Sequence, residues 1–260
     1  MKTPIYQIDA FTQAPFSGNP AAVCPLDTWL DDATMQNIAA ENNLAETAFI
    51  VPCDEGYDLR WFTPTVEVDL CGHATLASAY VVFNHLQPVL ESVSFETKSG
   101  KLVVTRDGER LSMDFPARAP TPIPVSDALS DALGQAPSEA HLSRDVLVVY
   151  DDEATVRALS PDYGKLLALE EGFGVIVTAK GDSVDFVSRF FVPKGGIDED
   201  PVTGSAHCTL VPFWAERLGR SELVAHQVSA RGGELRCELR GDRVIMSGYC
   251  VLFLTGSIHL

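Results

Sequence analysis

Alternating hydrophobic and polar residues predict short strands in the first half of the chain. Residues 5–11 (IYQIDAF), 47–51 (TAFIV) and 58–64 (DLRWFTP) are rich in β-branched and aromatic residues. The runs VSFET, KLVVTR and RLSMDF that follow predict a meander, with turns at Ser99-Gly100 and Asp107-Gly108. Between these groups, residues 74–86 are apolar nearly all round, which is typical of a buried helix.

The same order of motifs recurs in the second half. RWFTP at 60–64 is matched by RFFVP at 189–193, 129 positions later. The glycine turn before the helix candidate also recurs, at Gly72 and Gly204, 132 positions apart. Chance similarity would scatter these offsets, whereas they drift slowly, and the period is too long for a solenoid or propeller. The pattern predicts duplication of a whole domain.

A proline-rich stretch, PARAPTPIPVS, predicts where the two copies join, because proline at this density suits an extended linker. We therefore predict one domain over residues 1–117 and a second over 118–250. A final strand near 251–260 is expected to pack back on the first domain, with no counterpart near the linker. The predicted fold class is α+β: two pseudo-symmetric domains, each a curled, barrel-like antiparallel sheet around a central helix.

Charge and cysteine content exclude several classes of protein. Acidic residues exceed basic ones by 17, which disfavours nucleic-acid binding. No apolar run reaches 18 residues and no signal-peptide pattern opens the chain, so we expect a cytoplasmic protein without a membrane partner. The six cysteines form no CxxC pair and no zinc-ligand cluster, which predicts reduced thiols and no metal site.

The glycine turns before the two helix candidates are candidate binding elements. The first N–H groups of a helix lack internal partners and attract anions, so two such turns facing one cleft would suit a small carboxylate. Gly-rich turns before helices are nonetheless common, and most of them bind nothing. Gly72 and Gly204 are therefore candidate positions for holding a substrate, and ordinary helix starts are the alternative.

Four polar side chains are candidates for the chemistry. Glu46 lies between apolar residues, and its repeat-mate is predicted near Gly172, so an acid is present in one half only. It is a candidate for proton transfer or a surface glutamate at a strand start. His73 and Asp200 are candidate polar site residues, or else a solvated histidine and a turn cap. Ser205 is expected either to bond a ligand oxygen or to cap its helix.

The absence of common catalytic motifs narrows the chemistry. The chain has no G-x-S-x-G elbow, no G-x-G-x-x-G, no phosphate-binding G-x-x-x-x-G-K-[ST] and no H-E-x-x-H. Acid/base chemistry without a cofactor, or ligand binding alone, remains.

Four long motifs resemble the phenazine-biosynthesis PhzF-like family. They are DAFTQAPFSGNPAAVC, NLAETAFI, RWFTPTVEVDLCGHATLA and GIDEDPVTGSAHC, which occur in the family's order over nearly the whole chain. The resemblance implies a diaminopimelate-epimerase-like fold, an active site between the two halves, and an isomerase that uses no cofactor. It also makes a homodimer plausible. The substrate and the pathway stay open.

The resemblance also assigns roles to residues. Glu46 corresponds to the family's catalytic acid/base. His73, Asp200 and Ser205 correspond to other polar site residues, and the backbone at Gly72 and Gly204 to the groups that hold a substrate carboxylate. Asn19 matches a further substrate-binding position.

Two alternatives to this hypothesis stay open. One is an amino-acid epimerase or racemase that uses Cys71, although the second turn carries Asp200 where related enzymes place a second thiol, and Cys208 lies within the predicted helix. The other is a metabolite-binding protein without activity on the same scaffold.

Overall fold

The computed structural model describes residues 2–260. The strands, in chain order, are β1 (Lys2–Ala10), β2 (Asn19–Pro25), β3 (Glu46–Cys53), β4 (Gly56–Phe62), β5 (Glu67–Val68), β6 (Ser92–Thr97), β7 (Gly100–Asp107), β8 (Arg110–Pro116), β9 (Thr121–Ile123), β10 (Glu139–Leu142), β11 (Val146–Val149), β12 (Val175–Lys180), β13 (Phe186–Val192), β14 (Ile197–Glu199), β15 (Glu222–Gln227), β16 (Gly233–Arg240), β17 (Arg243–Gly248) and β18 (Cys250–His259).

The helices are fewer and mostly short. They are α1 (Asp32–Asn42), α2 (Gly72–Val81), α3 (Asp127–Leu133), α4 (Glu153–Ala158), α5 (Tyr163–Leu167) and α6 (Gly204–Leu218). A π-helical turn at Val82–Leu86 extends α2, and a 3-10 turn occupies Pro193–Gly195. No helix of residues 2–260 is long and apolar enough to cross a membrane.

The chain divides into two compact units. The first unit contains the residues up to Asp114 together with Ser247–Leu260, and the second contains Phe115–Met246. In the first unit, β1 pairs antiparallel with both β18 and β2, and β3 pairs antiparallel with β4. The meander β6–β7–β8 is antiparallel throughout. Two pairs, β2–β3 and β4–β6, are parallel, because a helix crosses over between the paired strands in each case.

The second unit repeats this pairing pattern. The pair β11–β12 is parallel like β2–β3, and β13–β15 is parallel like β4–β6. The pairs β10–β11, β12–β13 and β15–β16 are antiparallel like their counterparts. The predicted α+β fold, a curled and mostly antiparallel sheet with one central helix per half, is confirmed. The agreement of the pairings, strand by strand, supports duplication of one ancestral domain.

The C-terminal strand has a counterpart after all, contrary to the sequence-based expectation. In the first unit β18 pairs antiparallel with β1. In the second unit β9 pairs antiparallel with β10, which is the strand equivalent to β1. The strand β9 lies inside the proline-rich stretch and was hidden because it has only three residues, with Pro122 at its centre. Because proline is rare inside paired strands, Pro122 also argued against a strand there.

The central helices are buried, as their composition predicts. In α2, eight of the ten residues are buried. Pro212 lies well inside the 15-residue helix α6. Because proline has no N–H, the carbonyl of Cys208 loses its usual helical partner. The backbone N–H of Arg118 donates to that carbonyl instead, at 2.8 Å, and so satisfies it from outside the helix.

Local signals set the ends of other elements to within one residue. Asp31 caps α1, accepting a hydrogen bond from the Thr34 N–H at 2.9 Å. In the two hairpins of the meander, Thr97 faces Gly100 and Asp107 faces Arg110. The turns are therefore residues 98–99 and 108–109, each shifted by one residue from its predicted place.

Candidate active site

The first unit brings four candidate polar residues together at the start of α2. Glu46 begins β3 and faces Ala21 of β2. Its carboxylate Oε2 lies 3.0 Å from Nε2 of His73, the second residue of α2. The other ring nitrogen of His73, Nδ1, lies 3.1 Å from the Asn19 amide Nδ2 and 3.5 Å from the Cys71 Sγ. The imidazole therefore separates a carboxylate from an amide and a thiol.

Burial distinguishes Glu46 from its three neighbours. Asn19, Cys71 and His73 are buried, whereas 18% of the Glu46 side chain is exposed. Oε2 of Glu46 and Nε2 of His73 are at ion-pair distance, but neither atom makes an aligned hydrogen bond to a described residue. A ligand that enters this region would thus meet Glu46 first. Oε2 of Glu46 and Nε2 of His73 can each form a further hydrogen bond.

The surroundings raise the pKa of both the Cys71 thiol and the His73 imidazole. Burial, with the Glu46 charge added, raises the pKa of the Cys71 thiol to about 11, so the group is protonated near pH 7. Burial alone would lower the pKa of His73, but the adjacent side chains of Cys71 and Glu46 raise that pKa well above its ordinary value. The arrangement favours a carboxylate beside a protonated or readily protonated imidazole.

A metal ion is a poor fit to this group. Ligand atoms of Glu46, Cys71 and His73 come within 4.8 Å of one another. However, His73 faces the carboxylate with Nε2 and the thiol with Nδ1. A metal ion bound to one of these ring nitrogens would therefore not lie close to both the carboxylate and the thiol. Metal binding also requires a thiolate, which the raised pKa of Cys71 disfavours.

The start of α2 has no side-chain cap. Its N-cap residue, Cys71, makes no side-chain capping bond, so the Cys71 side chain does not accept from the first N–H groups of the helix. The hydroxyl of Thr75 donates to the Cys71 carbonyl at 2.6 Å and fixes the turn. Gly72 does not adopt a positive φ, so backbone conformation does not require glycine there. The absence of a Cβ leaves room for close approach to the backbone.

The second unit places its three predicted residues at the start of α6. Gly204 is the first helical residue and Ser205 the second, and the N-cap residue Thr203 again makes no side-chain capping bond. The hydroxyl of Ser205 bonds to no other described residue. The Asp200 carboxylate accepts a hydrogen bond from the Thr203 hydroxyl at 2.6 Å, so it takes part in a turn contact of the kind that sequence reasoning weighed as the alternative.

Gln227 was missed by sequence reasoning, although it organises this turn. Its side-chain oxygen accepts from the Thr203 N–H at 2.8 Å, and its Nε2 donates to the Asp200 carbonyl at 2.7 Å. The side chain is almost fully buried at the end of β15. Nothing in the local pattern around position 227 could have shown this contact, because its partners lie 24 and 27 residues earlier in the chain.

Strand register corrects the repeat-mate of Glu46. Phe49 faces Arg60, and Val177 faces the matched Arg189. Glu46 therefore corresponds to Gly174 rather than to Gly172. A Cβ at Gly174 would lie 2.5 Å from the Phe190 ring, so the space that Glu46 uses is filled in the second unit. The predicted asymmetry, an acid in one half only, is present in the structure.

Comparison with known proteins agrees with this architecture. The family model described as phenazine biosynthesis-like protein matches residues 8–256. An uncharacterized isomerase of Pseudomonas aeruginosa is 54% identical over 260 residues, covering 100% of both chains. An uncharacterized isomerase of Halalkalibacterium halodurans is 47% identical over 266 residues, again covering 100% of both. The names of these relatives support isomerisation of a small molecule as the class of activity.

Solved structures extend the comparison to the fold. A PhzF-family phenazine biosynthesis protein of Enterococcus faecalis superposes with a TM-score of 0.99 at 52% identity, covering 100% of both chains. A probable proline racemase of Agrobacterium radiobacter matches with a TM-score of 0.67 at 10% identity, over 99% of this chain and 93% of that one, and so shares the fold. This chain belongs to the phenazine biosynthesis-like (PhzF) family of isomerases, with the diaminopimelate-epimerase-like fold.

Proposed function

We propose that this chain is a cofactor-independent isomerase that moves a proton on a small, carboxylate-bearing metabolite, with Glu46 as the group that takes and returns the proton. The observation that carries the proposal is the pair formed by Glu46 and His73. A partly exposed carboxylate lies 3.0 Å from a buried imidazole nitrogen, and neither atom makes an aligned hydrogen bond within the described chain. Positioned acid/base groups of this kind typically contribute about 10²–10⁴-fold to a rate.

The chemistry near pH 7 favours Glu46 over Cys71 as the base. The thiol of Cys71 is buried and protonated, because its pKa is raised to about 11. An epimerase with two opposed cysteines would also need a second thiol at the equivalent turn. The second unit has Thr203 as the residue before its helix, and Cys208 lies within α6. Proton transfer on one face of the substrate by Glu46 accounts for both features.

The starts of α2 and α6 are the proposed sites for substrate carboxylate groups. Each helix begins at a glycine and lacks a side-chain cap, so its first N–H groups are available to an anion. Ser205 adds a hydroxyl at one of these starts. Asn19, His73 and Asp200 stay predicted substrate contacts. The meeting of both helix starts on one substrate also stays a prediction, as do the homodimer and the cytoplasmic location.

A binding screen followed by proton exchange tests the proposal. Small cyclic and amino carboxylates are first screened for thermal stabilisation of the full chain. Each ligand that stabilises it is then incubated with the protein in deuterated water and followed by NMR. Exchange or migration of a ligand proton supports an isomerase. Stabilisation without any exchange or migration would support the alternative, a binding protein without activity.

The variant Glu46→Gln identifies the catalytic group. It keeps the shape and most hydrogen bonds of the side chain but removes the carboxylate base. We expect turnover to fall by about 10²–10⁴-fold while ligand stabilisation is retained. The matched control is Glu41→Gln on the exposed end of α1, which should keep normal turnover. Near-normal turnover in Glu46→Gln would reject Glu46 as the base, and loss of activity in Cys71→Ser alone would favour the epimerase alternative.

A further inference from the structure

Asn19 is held in place on the inner side of the imidazole. It is fully buried as the first residue of β2, and it follows Gly18, whose φ is +67°. A Cβ at Gly18 would lie 2.2 Å from the carbonyl oxygen of Ala10, so no other residue fits there without a shift of the backbone. The backbone at Gly18 thus fixes the position from which the Asn19 side chain extends. The amide Nδ2 then lies 3.1 Å from His73 Nδ1.

The two ring nitrogens of His73 have separate neighbours. Nε2 faces the carboxylate of Glu46, while Nδ1 faces the amide of Asn19. An amide nitrogen can only donate, so this contact requires a lone pair on Nδ1. The single proton of a neutral imidazole then lies on Nε2, the nitrogen on the side of Glu46. If the ring becomes an imidazolium, rotation of the amide presents its oxygen to the new Nδ1–H instead.

We propose that Asn19 is a positioning residue that keeps an N–H on His73 Nε2, the nitrogen nearest Glu46, in both protonation states of the ring. An amide suits this role because it offers a donor at one end and an acceptor at the other. A carboxylate at the same place would accept only, and a hydrocarbon would do neither. This role differs from the substrate contact that the resemblance assigns to Asn19.

The catalytic meaning of this arrangement rests on the proposed function. When Glu46 takes a proton from a substrate atom, the carboxylate becomes a carboxylic acid. His73 cannot accept that proton at Nε2, because the position already carries one. The proton therefore stays on Glu46 until it returns to the substrate at another atom, and Glu46 is again a carboxylate. Asn19 would in this way keep the proton on one residue for the duration of a turnover.

The groups that act on the His73 charge are few. Glu46 faces Nε2 from β3, and Cys71 faces Nδ1 from the residue before α2. Cys71 is the competing candidate for fixing the tautomer, since its Sγ lies 3.5 Å from the same nitrogen. The variant Cys71→Ala therefore belongs in the experiment as a comparison with the Asn19 variants.

Nitrogen-15 NMR of histidine-labelled full chain, without any substrate, tests the proposal. The His73 signals are identified by their loss in His73→Gln, and the ring is titrated to the pH at which it is neutral. In the wild type we expect the neutral ring to carry its proton on Nε2. Asn19→Asp should raise the pKa of His73 by about one pH unit or more, and Asn19→Leu should lower it. Cys71→Ala should leave the Nε2–H tautomer unchanged.

The outcomes separate positioning from a merely structural role. A neutral ring with its proton on Nδ1 in the wild type would overturn the proposal, even if no Asn19 variant folds. Shifts of the His73 pKa in the same direction for the Asp and Leu variants would also overturn it. An effect caused only by lost packing does not depend on the charge of the new side chain. A change of tautomer in Cys71→Ala would transfer the role to the thiol. None of these readouts needs turnover, so they stand whether or not Glu46→Gln proves inactive.

Discussion

The two units share one pairing pattern and differ in the side chains at the start of their central helices. At equivalent positions the first unit has Cys71 and His73, and the second has Thr203 and Ser205. Glu46, which lies beside His73, has Gly174 as its counterpart. The first unit thus carries the groups able to transfer a proton, whereas the second carries hydroxyls and a hydrogen-bonded carboxylate.

The contacts that shape the backbone are the same in both units. Thr75 and His207, at equivalent positions, each donate a side-chain hydrogen bond to the carbonyl just before the helix, at 2.6 and 2.8 Å. Burial lowers the pKa of His207 to about 4, so this ring is neutral and serves structure. Duplication thus kept the groups that fix the turns, whereas the side chains at the helix starts diverged.

A second shared contact precedes each helix start. Arg60 forms a bidentate pair with Glu67, at 2.7 and 2.9 Å, and Arg189 forms the same pair with Glu199, at 2.8 and 2.9 Å. Each pair ties a long strand to the short strand that leads into the glycine turn. Bidentate geometry gives these pairs directional specificity.

The largest expected effect comes from giving the first unit the residue of the second. His73→Ser should lower turnover of any identified substrate by at least about 10²-fold, because Glu46 loses its proton-bearing partner. The fold should survive, since serine occupies the equivalent position in α6. Steady-state kinetics and a thermal melt measure the two effects. The exposed His259→Ser serves as the matched control. Equal activity in the two variants would show that the difference between the units has no catalytic meaning.

The reverse change tests whether the second unit has room for a side chain at its counterpart of Glu46. Gly174→Ala should destabilise the protein by about 1–3 kcal/mol, because the new Cβ meets the Phe190 ring. Urea unfolding gives the free energy. Gly164→Ala is the control, since a Cβ there meets only the Asp162 side chain, at 3.3 Å. Equal stability of the two variants would remove the steric explanation for the missing acid.

The smallest effect concerns the Arg60–Glu67 pair and depends on pH. Hydrogen bonds from Arg60 lower the pKa of Glu67 to about 2, against burial. A folded-state pKa below the unfolded value means that this stabilisation is present above about pH 4.5 and is lost as pH falls towards 2. Glu67→Gln should therefore cost about 1 kcal/mol at pH 7 and almost nothing near pH 2. Unfolding free energies measured across this range give the difference, and a gap that does not shrink on acidification would contradict the assignment.

Much of the fold could be predicted from the sequence because it depends on local patterns. Strands with alternating residues and the all-apolar α2 each follow from side chains within a few positions of one another. The repeat added the α+β class with one central helix per half, and the family was recognised from four long motifs. The comparisons confirm the fold class and the family.

Features that depend on contacts between distant residues could not be predicted from local sequence patterns. The strand β9 is too short for a periodic signal, and Pro212 fits inside α6 only because the Arg118 N–H satisfies the freed carbonyl. Strand register, which sequence offsets only approximate, moved the counterpart of Glu46 from Gly172 to Gly174.

By itself, the sequence determined which residues are available for chemistry and in which half each one lies. Only the tertiary structure decided that Asn19, Glu46 and Cys71 surround one imidazole, and which ring nitrogen each of them faces. The physical reason is that hydrogen bonds and ion pairs depend on distances of about 3 Å. Pairing between strands sets those distances for residues that lie tens of positions apart in the chain.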